Sequence, residues 1–251
     1  MVGQRVCIFS KTTNGREYTR ISLFPLSPFE SICVDYVHPW VAQRVCTLLK
    51  PRKFLFGLRA FVSESGLMQW LNEPPVWEAD QGQLHVVTGA KTDFWRVTHY
   101  GFVRDNGHFY HEQRAGDFTV QVKIEAKYEA LYDQAGIMVR LDSANWIKTG
   151  VEYTDGLPHF SAVVTRDFSD WSVLPADSPG PVWLRLTRLG SAIRIQYSLD
   201  GLSFPMLRLA YFPEASGTQV GLVCCSPERE GFEVEFSEFR IGEPIAKGLH
   251  E

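Results

Sequence analysis

From residue 68 onward, no stretch keeps apolar residues at helical spacing over the roughly 10 positions a helix needs, which argues against a helical fold. Long apolar runs are also missing. None approaches the ~20 residues of a membrane helix, so no membrane partner is expected. The opening MVGQRVCIFSKTTNGREYTR is interrupted by charges where a secretory signal would be continuously apolar. Cysteine is sparse: Cys7, Cys33, Cys46 and the adjacent Cys224 and Cys225. An odd count with no C-x-x-C is no disulfide framework. Reduced thiols and a cytoplasmic protein are the expectation. Basic charge is not in excess either, because the formal net charge is −4. Without a global basic field, no nucleic-acid partner is expected.

Several chemistries lack their motifs. There is no glycine-rich phosphate loop, since DGL and SLDGL read as hairpin turns. There is no G-x-S-x-G elbow, and neither Ser161 nor Cys224 has a base visible in sequence. His99, His108 and His111 lack metal-ligand spacing on one element, and the last two would point to opposite strand faces. Neither a metal nor any other cofactor is expected.

What is present is alternation. Apolar residues make up 45% of 251 and charged residues 22%, enough to bury a core without staples. FTVQVKIEAKY (118–128) alternates Phe118, Val120, Val122 and Ile124 with polar neighbours. VWLRLTRLGSAIRIQYSLDG (182–201) reads as a hairpin turning at LGS. TQVGLVCC and FEVEFSEFRI add two strands, and short strands joined by Gly/Pro/Asp turns predict an all-β fold, a jelly-roll β-sandwich of two antiparallel sheets.

The first 67 residues differ in charge, with nine Lys/Arg against four Asp/Glu, whereas the remainder has 16 against 25. The layout is therefore an irregular N-terminal extension (1–67), a β-sandwich domain (68–244) and a C-terminal tail (245–251). Within the extension only PWVAQRVCTLLK reads as helical. Three readings of it stay open: a mitochondrial-type targeting stretch, a disordered segment, or sequence upstream of a true start at Met68.

WLNEPPVW, TDFWRVTHYGFVRDNGHF, LYDQAGIMVRLDSANWIKTGVEY, SAVVTRDFSDWS and VGLVCCSP occur in that order. Together they resemble the family of unknown-function domains that includes a fungal protein named for regulation of enolase, across about residues 68–243. The resemblance implies a concanavalin-A-like jelly roll and a metabolic enzyme as partner. It assigns no activity. Jelly rolls of that superfamily bind or cleave glycans on the concave face of one sheet, so the alternative partner is a glycan, by analogy of fold alone.

The strands around DQAGIMVR and NWIKTGVEY carry the most informative constellation. Ile137, Val139, Ile147 and Val151 share one face, and Gln134, Arg140, Trp146, Lys148 and Glu152 share the other. With the apolar set inward, the second set lines one outer, concave surface, and Trp171 lies beyond the regular part of the next strand. The functional reading is a ligand groove of aromatics and hydrogen-bonding groups. The bland one is a solvated sheet face of cross-strand ion pairs.

In TDFWRVTHYGFVRDNGHFYHE, Asp93 reads as a turn cap and Asn106–Gly107 as a turn. Trp95, Tyr100 and Phe102 read as packing, leaving Arg96 and His108 as groove-rim contacts. For glycoside hydrolysis, Glu152 with Asp133 or Asp170 is the weak candidate acid/base pair. Glu233, Glu235 and Glu238 read as an edge strand protected by charge. The leading expectation is a non-enzymatic binding or regulatory module; the alternative is a lectin or glycoside hydrolase using the same groove.

Overall fold

The computed structural model describes residues 68–176, 180–245 and 248 in full, together with backbone strands at 4–13, 16–25, 32–34, 62–63 and 66–67. The helical reading of PWVAQRVCTLLK lies outside the described residues. The chain divides into two compact units, Met1–Gly57 and Leu58–Glu251. The first unit holds an antiparallel sheet of β1 (Gln4–Thr13), β2 (Arg16–Pro25) and β3 (Ile32–Val34), in that order.

The second unit begins with the short pair β4 (Val62–Ser63) and β5 (Gly66–Leu67). There follow β6 (Gln69–Leu71), β7 (Val76–Asp80), β8 (Gln83–Val87), β9 (Phe94–Arg96), β10 (Val103–Asp105) and β11 (His108–Arg114). Next come β12 (Phe118–Ala126), β13 (Gln134–Arg140), β14 (Asn145–Thr154), β15 (Leu157–Arg166) and β16 (Phe168–Pro175). The last are β17 (Val182–Leu189), β18 (Ala192–Ser198), β19 (Met206–Tyr211), β20 (Thr218–Cys225) and β21 (Glu233–Gly242). Among the described residues there is no helix.

Two seven-stranded antiparallel sheets form the sandwich. One, the site sheet, runs β16-β15-β14-β13-β20-β11-β6; the other runs β19-β18-β17-β12-β21-β8-β7. Their facing sides are the two alternating sets read from the sequence. Ile137, Val139, Ile147, Val151, Phe160 and Ala162 of the site sheet pack against Val120, Val122, Ile124, Leu184, Leu186 and Ile195. Each is fully buried or nearly so. The turns follow local chemistry: Asp155 and Gly156 both have positive φ (53° and 80°), the type I′ turn that joins β14 to β15 with two residues.

One reading needs correction. The acidic run Glu233–Glu238 is not on an edge, because β21 lies between β12 and β8. Val234 and Phe236 enter the core while Glu233 and Glu235 occupy the opposite face, so the charges dress an interior strand. A bulge opposite Gln121–Lys123 and a positive φ of 51° at Glu238 break the alternation, and Glu238 accepts the Trp183 indole N–H at 2.9 Å.

The central strands of the site sheet, β13, β14 and β15, are largely buried on both faces. Behind the sheet lies the core; over its outer face folds the β9–β10 hairpin, closing a second apolar layer of Phe94, Trp95, Phe109, Met138, Trp146, Val163, Val223 and Cys225. Gly107 lets this cover sit tightly, because a Cβ there would run into the Phe94 ring and the Cys225 sulfur.

Candidate functional site

The register of the site sheet brings the expected residues to one face. Gln134 lies opposite Glu152, Met138 opposite Lys148 and Arg140 opposite Trp146. Between the first two pairs, Gly136 lies opposite Gly150, where any Cβ would meet the neighbouring strand's backbone. The face is not the open surface the sequence suggested. At the Arg140–Trp146 end the β9–β10 hairpin covers it: Phe94 meets the fully buried Trp146 edge to face, 6.2 Å between ring centres. Arg140 gives Asp105 a two-pronged ion pair at 2.8 and 2.9 Å. Lys148 donates to Asp93 at 3.2 Å and to the Phe94 carbonyl at 3.0 Å. Asp93 does cap its turn, accepting the Phe94 N–H at 2.8 Å, and it is also the counter-ion of a buried lysine.

The uncovered end forms a pocket of about 200 Å³. Gln134, Lys148, Glu152 and Val163 make its floor. Trp95, Tyr100 and Phe102 of the hairpin wall one side; Tyr132 and Trp171 wall others, with Arg104 and Glu228 at the mouth. Tyr100 stacks on Phe102 at 5.3 Å, and Arg104 lies 4.7 Å above the Phe102 ring. Tyr132 meets Trp171 edge-on at 6.3 Å. The hydroxyls of Tyr100 and Tyr132 hydrogen-bond at 2.7 Å, joining the hairpin to the β12–β13 loop.

The floor is rich in acceptors. Glu152 Oε2 accepts the Ser161 hydroxyl at 2.7 Å and the Trp171 indole N–H at 3.1 Å. Its Oε1 has no protein donor among the described residues. Gln134 spends its amide N–H on the Tyr132 carbonyl at 3.1 Å, and its own oxygen is also without a protein donor there. Burial raises the Glu152 pKa above the usual carboxylate range, against the opposing charge of Lys148. Burial is the largest single influence on the Lys148 ammonium and works against it, but the charges of Asp93 and Glu152 and the Asp93 hydrogen bond act together to leave that pKa raised.

The hairpin tip is strained. Val97, His99 and Gly101 alternate into positive φ (60°, 64° and 73°), and Tyr132 opposite has a φ of 66°. Two tight three-residue turns result, with Thr98 N–H donating to Arg96 O and Tyr100 N–H to Thr98 O, each at 2.7 Å. A β-branched residue such as Val97 takes this conformation at a cost of about 1–3 kcal/mol, and such strain collects at ligand clamps.

Of the residues expected at the site, Gln134, Lys148, Glu152 and Trp171 converge on this pocket. Arg140 and Trp146 share its face but lie under the hairpin. Arg96 lies outside it, donating to the carbonyls of Asp167 and Ser143. His108 is a clasp away from the pocket: its Nε2 accepts the Gly89 N–H, so Nδ1 carries the proton donated to Asn72 O at 2.7 Å. Asp133 is fully buried, held by Arg229 at 2.6 Å and by the Ser226 hydroxyl at 2.8 Å. Asp170 sits on the opposite strand face from Trp171, exposed and 3.9 Å from Arg208. Neither aspartate lines the pocket; the carboxylates that line it besides Glu152 are Asp93 and Glu228. Sequence reading missed Asp93 and Tyr132, and placed Trp95, Tyr100 and Phe102 in packing alone. The available signal was a polar, aromatic-rich hairpin opposite a sheet face that needed a cover. Among the described residues, no three His, Cys, Asp or Glu side chains gather to hold a metal.

The family model described as "Protein of unknown function (DUF1349)" matches residues 70–244. The chain belongs to this family. A curated relative, Regulation of enolase protein 1 of Saccharomyces cerevisiae, is 44% identical over 183 residues, spanning 72% of this chain and 92% of that protein. The crystal structure of a functionally unknown protein from the same yeast is similar over 71% of this chain and 97% of its own, with 43% identity and a TM-score of 0.70. A family GH43 protein from Bacillus licheniformis shares the fold at 19% identity and a TM-score of 0.57, over 72% of this chain and 38% of that one. The DUF1349 region thus coincides with the sandwich and contains every residue of the pocket.

Proposed function

We propose that this DUF1349 domain is a non-enzymatic binding module whose ligand is a small polyhydroxylated molecule, a sugar ring or its like, held in the aromatic-walled pocket. One observation carries this reading. Among the described residues, Glu152 Oε1 and the Gln134 oxygen are acceptors without protein donors, carried by buried side chains on the pocket floor among the rings of Trp95, Tyr100, Tyr132 and Trp171. Acceptors open to a pocket are left to pair with a ligand's donors. A polyol brings hydroxyl donors, and its C–H face packs against aromatic rings. Catalysis fits less well, because hydrolysis needs a second carboxylate free to act across the ligand. Of the two other carboxylates lining the pocket, Asp93 is held by Lys148 and by the Phe94 N–H, and Glu228 is solvent-exposed at the mouth. Titration of the full chain with neutral monosaccharides and polyols, followed by tryptophan fluorescence and calorimetry, tests the reading. Saturable binding lost in Trp171→Ala and Glu152→Gln supports it. Turnover of a glycoside abolished by Glu152→Gln would replace it with an enzyme.

A metabolic enzyme is the protein partner of this reading, with enolase suggested by the yeast relative's name. The free edges β16 and β19 supply a surface for it. Phe168 (61% exposed) lies on β16, the strand that carries the pocket wall residue Trp171, and Leu209 (48%) and Tyr211 (53%) lie on β19. Ligand-dependent capture of purified enolase supports this partner; no capture with or without ligand removes it.

A further inference from the structure

We infer that the Tyr100–Tyr132 hydroxyl pair is a latch that closes the pocket into a blind site for one ring-sized unit, free or at a chain end. This rests on the pocket being the ligand site proposed above. Three observations converge on it.

The first is what fills the rest of the sheet face. An extended ligand would have to continue along the strands from Glu152 and Gln134 toward Trp146 and Arg140. That course is occupied: Phe94 lies on the fully buried Trp146, and Arg140 is tied to Asp105. The second is size. About 200 Å³ falls below the roughly 300–1,000 Å³ of pockets for drug-sized ligands, leaving room for one small ring. The third is the latch itself. Tyr100 stands at the tip of the hairpin, and Tyr132 on the loop entering β13 beside Gln134. Their 2.7 Å hydrogen bond joins the two walls. Both ends are sprung, with positive φ at Val97 and His99 on one side and at Tyr132 on the other. A single hydroxyl contact between two strained loops can open for a ligand and re-form.

The test uses the full chain and the Tyr132→Phe and Tyr100→Phe variants, which keep both rings. Amide hydrogen exchange at residues 97–101 needs no ligand. Each variant is expected to speed it about tenfold; unchanged exchange in both overturns the latch. Calorimetry then compares glucose, mannose, galactose and xylose with the β-1,4-linked trimer of each. In the wild type, a sugar that binds is expected to match its trimer within about twofold, because only one unit makes contact. A trimer about tenfold tighter would mean further subsites, overturning the blind pocket while leaving the ligand site in place. For a binding sugar, the variants are expected to raise the dissociation rate severalfold; equal rates count against the latch. If none of these sugars binds, the polyol reading falls, and with it the single-unit reading, while hydrogen exchange still decides whether the two tyrosines hold the loops together.

Discussion

The two faces of the site sheet use the same strands for opposite ends. Ile147 and Trp146 are neighbours in β14, and both are fully buried. Ile147 enters a core built chiefly of apolar side chains and bounded by a second seven-stranded sheet. Trp146 enters a thinner layer where Phe94 and Met138 sit beside Arg140–Asp105, Lys148–Asp93 and Glu152. One face is closed by seven strands, the other by a hairpin of two three-residue strands pinned with ion pairs. Hydrophobic burial without direction holds the first together, whereas the second depends on charges that cannot be left unpaired. The proposed site lies on the second face, where hydrogen-bonding groups are buried beside an opening.

Substitution of the two neighbours should separate the faces most sharply. Trp146→Ala is expected to destabilise by about 3–5 kcal/mol and Ile147→Ala by about 2–5 kcal/mol, in urea unfolding. Their signatures should differ. Ile147→Ala should raise hydrogen exchange across both sheets, while Trp146→Ala should release residues 93–107 first. Equal, global exchange in both would erase the distinction drawn between the layers. Next in size is Asp105→Ala, which strands the buried Arg140 guanidinium and should lower stability by about 2–4 kcal/mol. Asp105→Ala combined with Arg140→Met should recover much of that loss, since an apolar side chain of similar length suits the layer better than an unpaired charge.

Acid should act on the same outer face. His111 is buried and stacks on Phe109 at 4.7 Å. Burial, then the Arg140 charge, brings its pKa down to about 4 from 6.5. The unfolded chain therefore takes a proton that the folded chain refuses. No penalty exists above pH 6.5; it grows as pH falls toward 4 and levels off below. The expected loss is about 1–3 kcal/mol across that window, removed in His111→Phe. A pH profile unchanged by His111→Phe would place the acid sensitivity elsewhere. The smallest effect belongs to Glu152→Gln. Because the folded state holds this carboxyl above its ordinary pKa, ionisation opposes folding as pH rises past 4.5. Stability should therefore hold within about 1 kcal/mol or rise slightly, while ligand affinity falls about tenfold or more through loss of a charge-assisted acceptor. Matched losses of stability and affinity would make Glu152 a structural residue instead.

The sandwich was legible because strand alternation has a period of two, and 134–154 obeys it nearly without exception. The same rule sorted Gln134, Lys148 and Glu152 onto one side. The cover was not legible. Asp93 meets Lys148 from 55 positions away and Asp105 meets Arg140 from 35 away, and nothing local in either stretch names its partner. Trp95, Tyr100 and Phe102 therefore read as packing when they are packing and pocket wall at once. Asp133 and Asp170 misled because composition marks a carboxylate without saying which way it points: the first turns to Arg229, the second to Arg208.

Residue order alone determined which side chains would leave the water and which strand face each would take, since both follow from polarity repeated at a fixed step. Tertiary structure decided that a hairpin would fold across half of that polar face and spare the rest. That choice was made by long-range ion pairs and one aromatic contact, whose energies depend on distances in space that no spacing in the chain encodes.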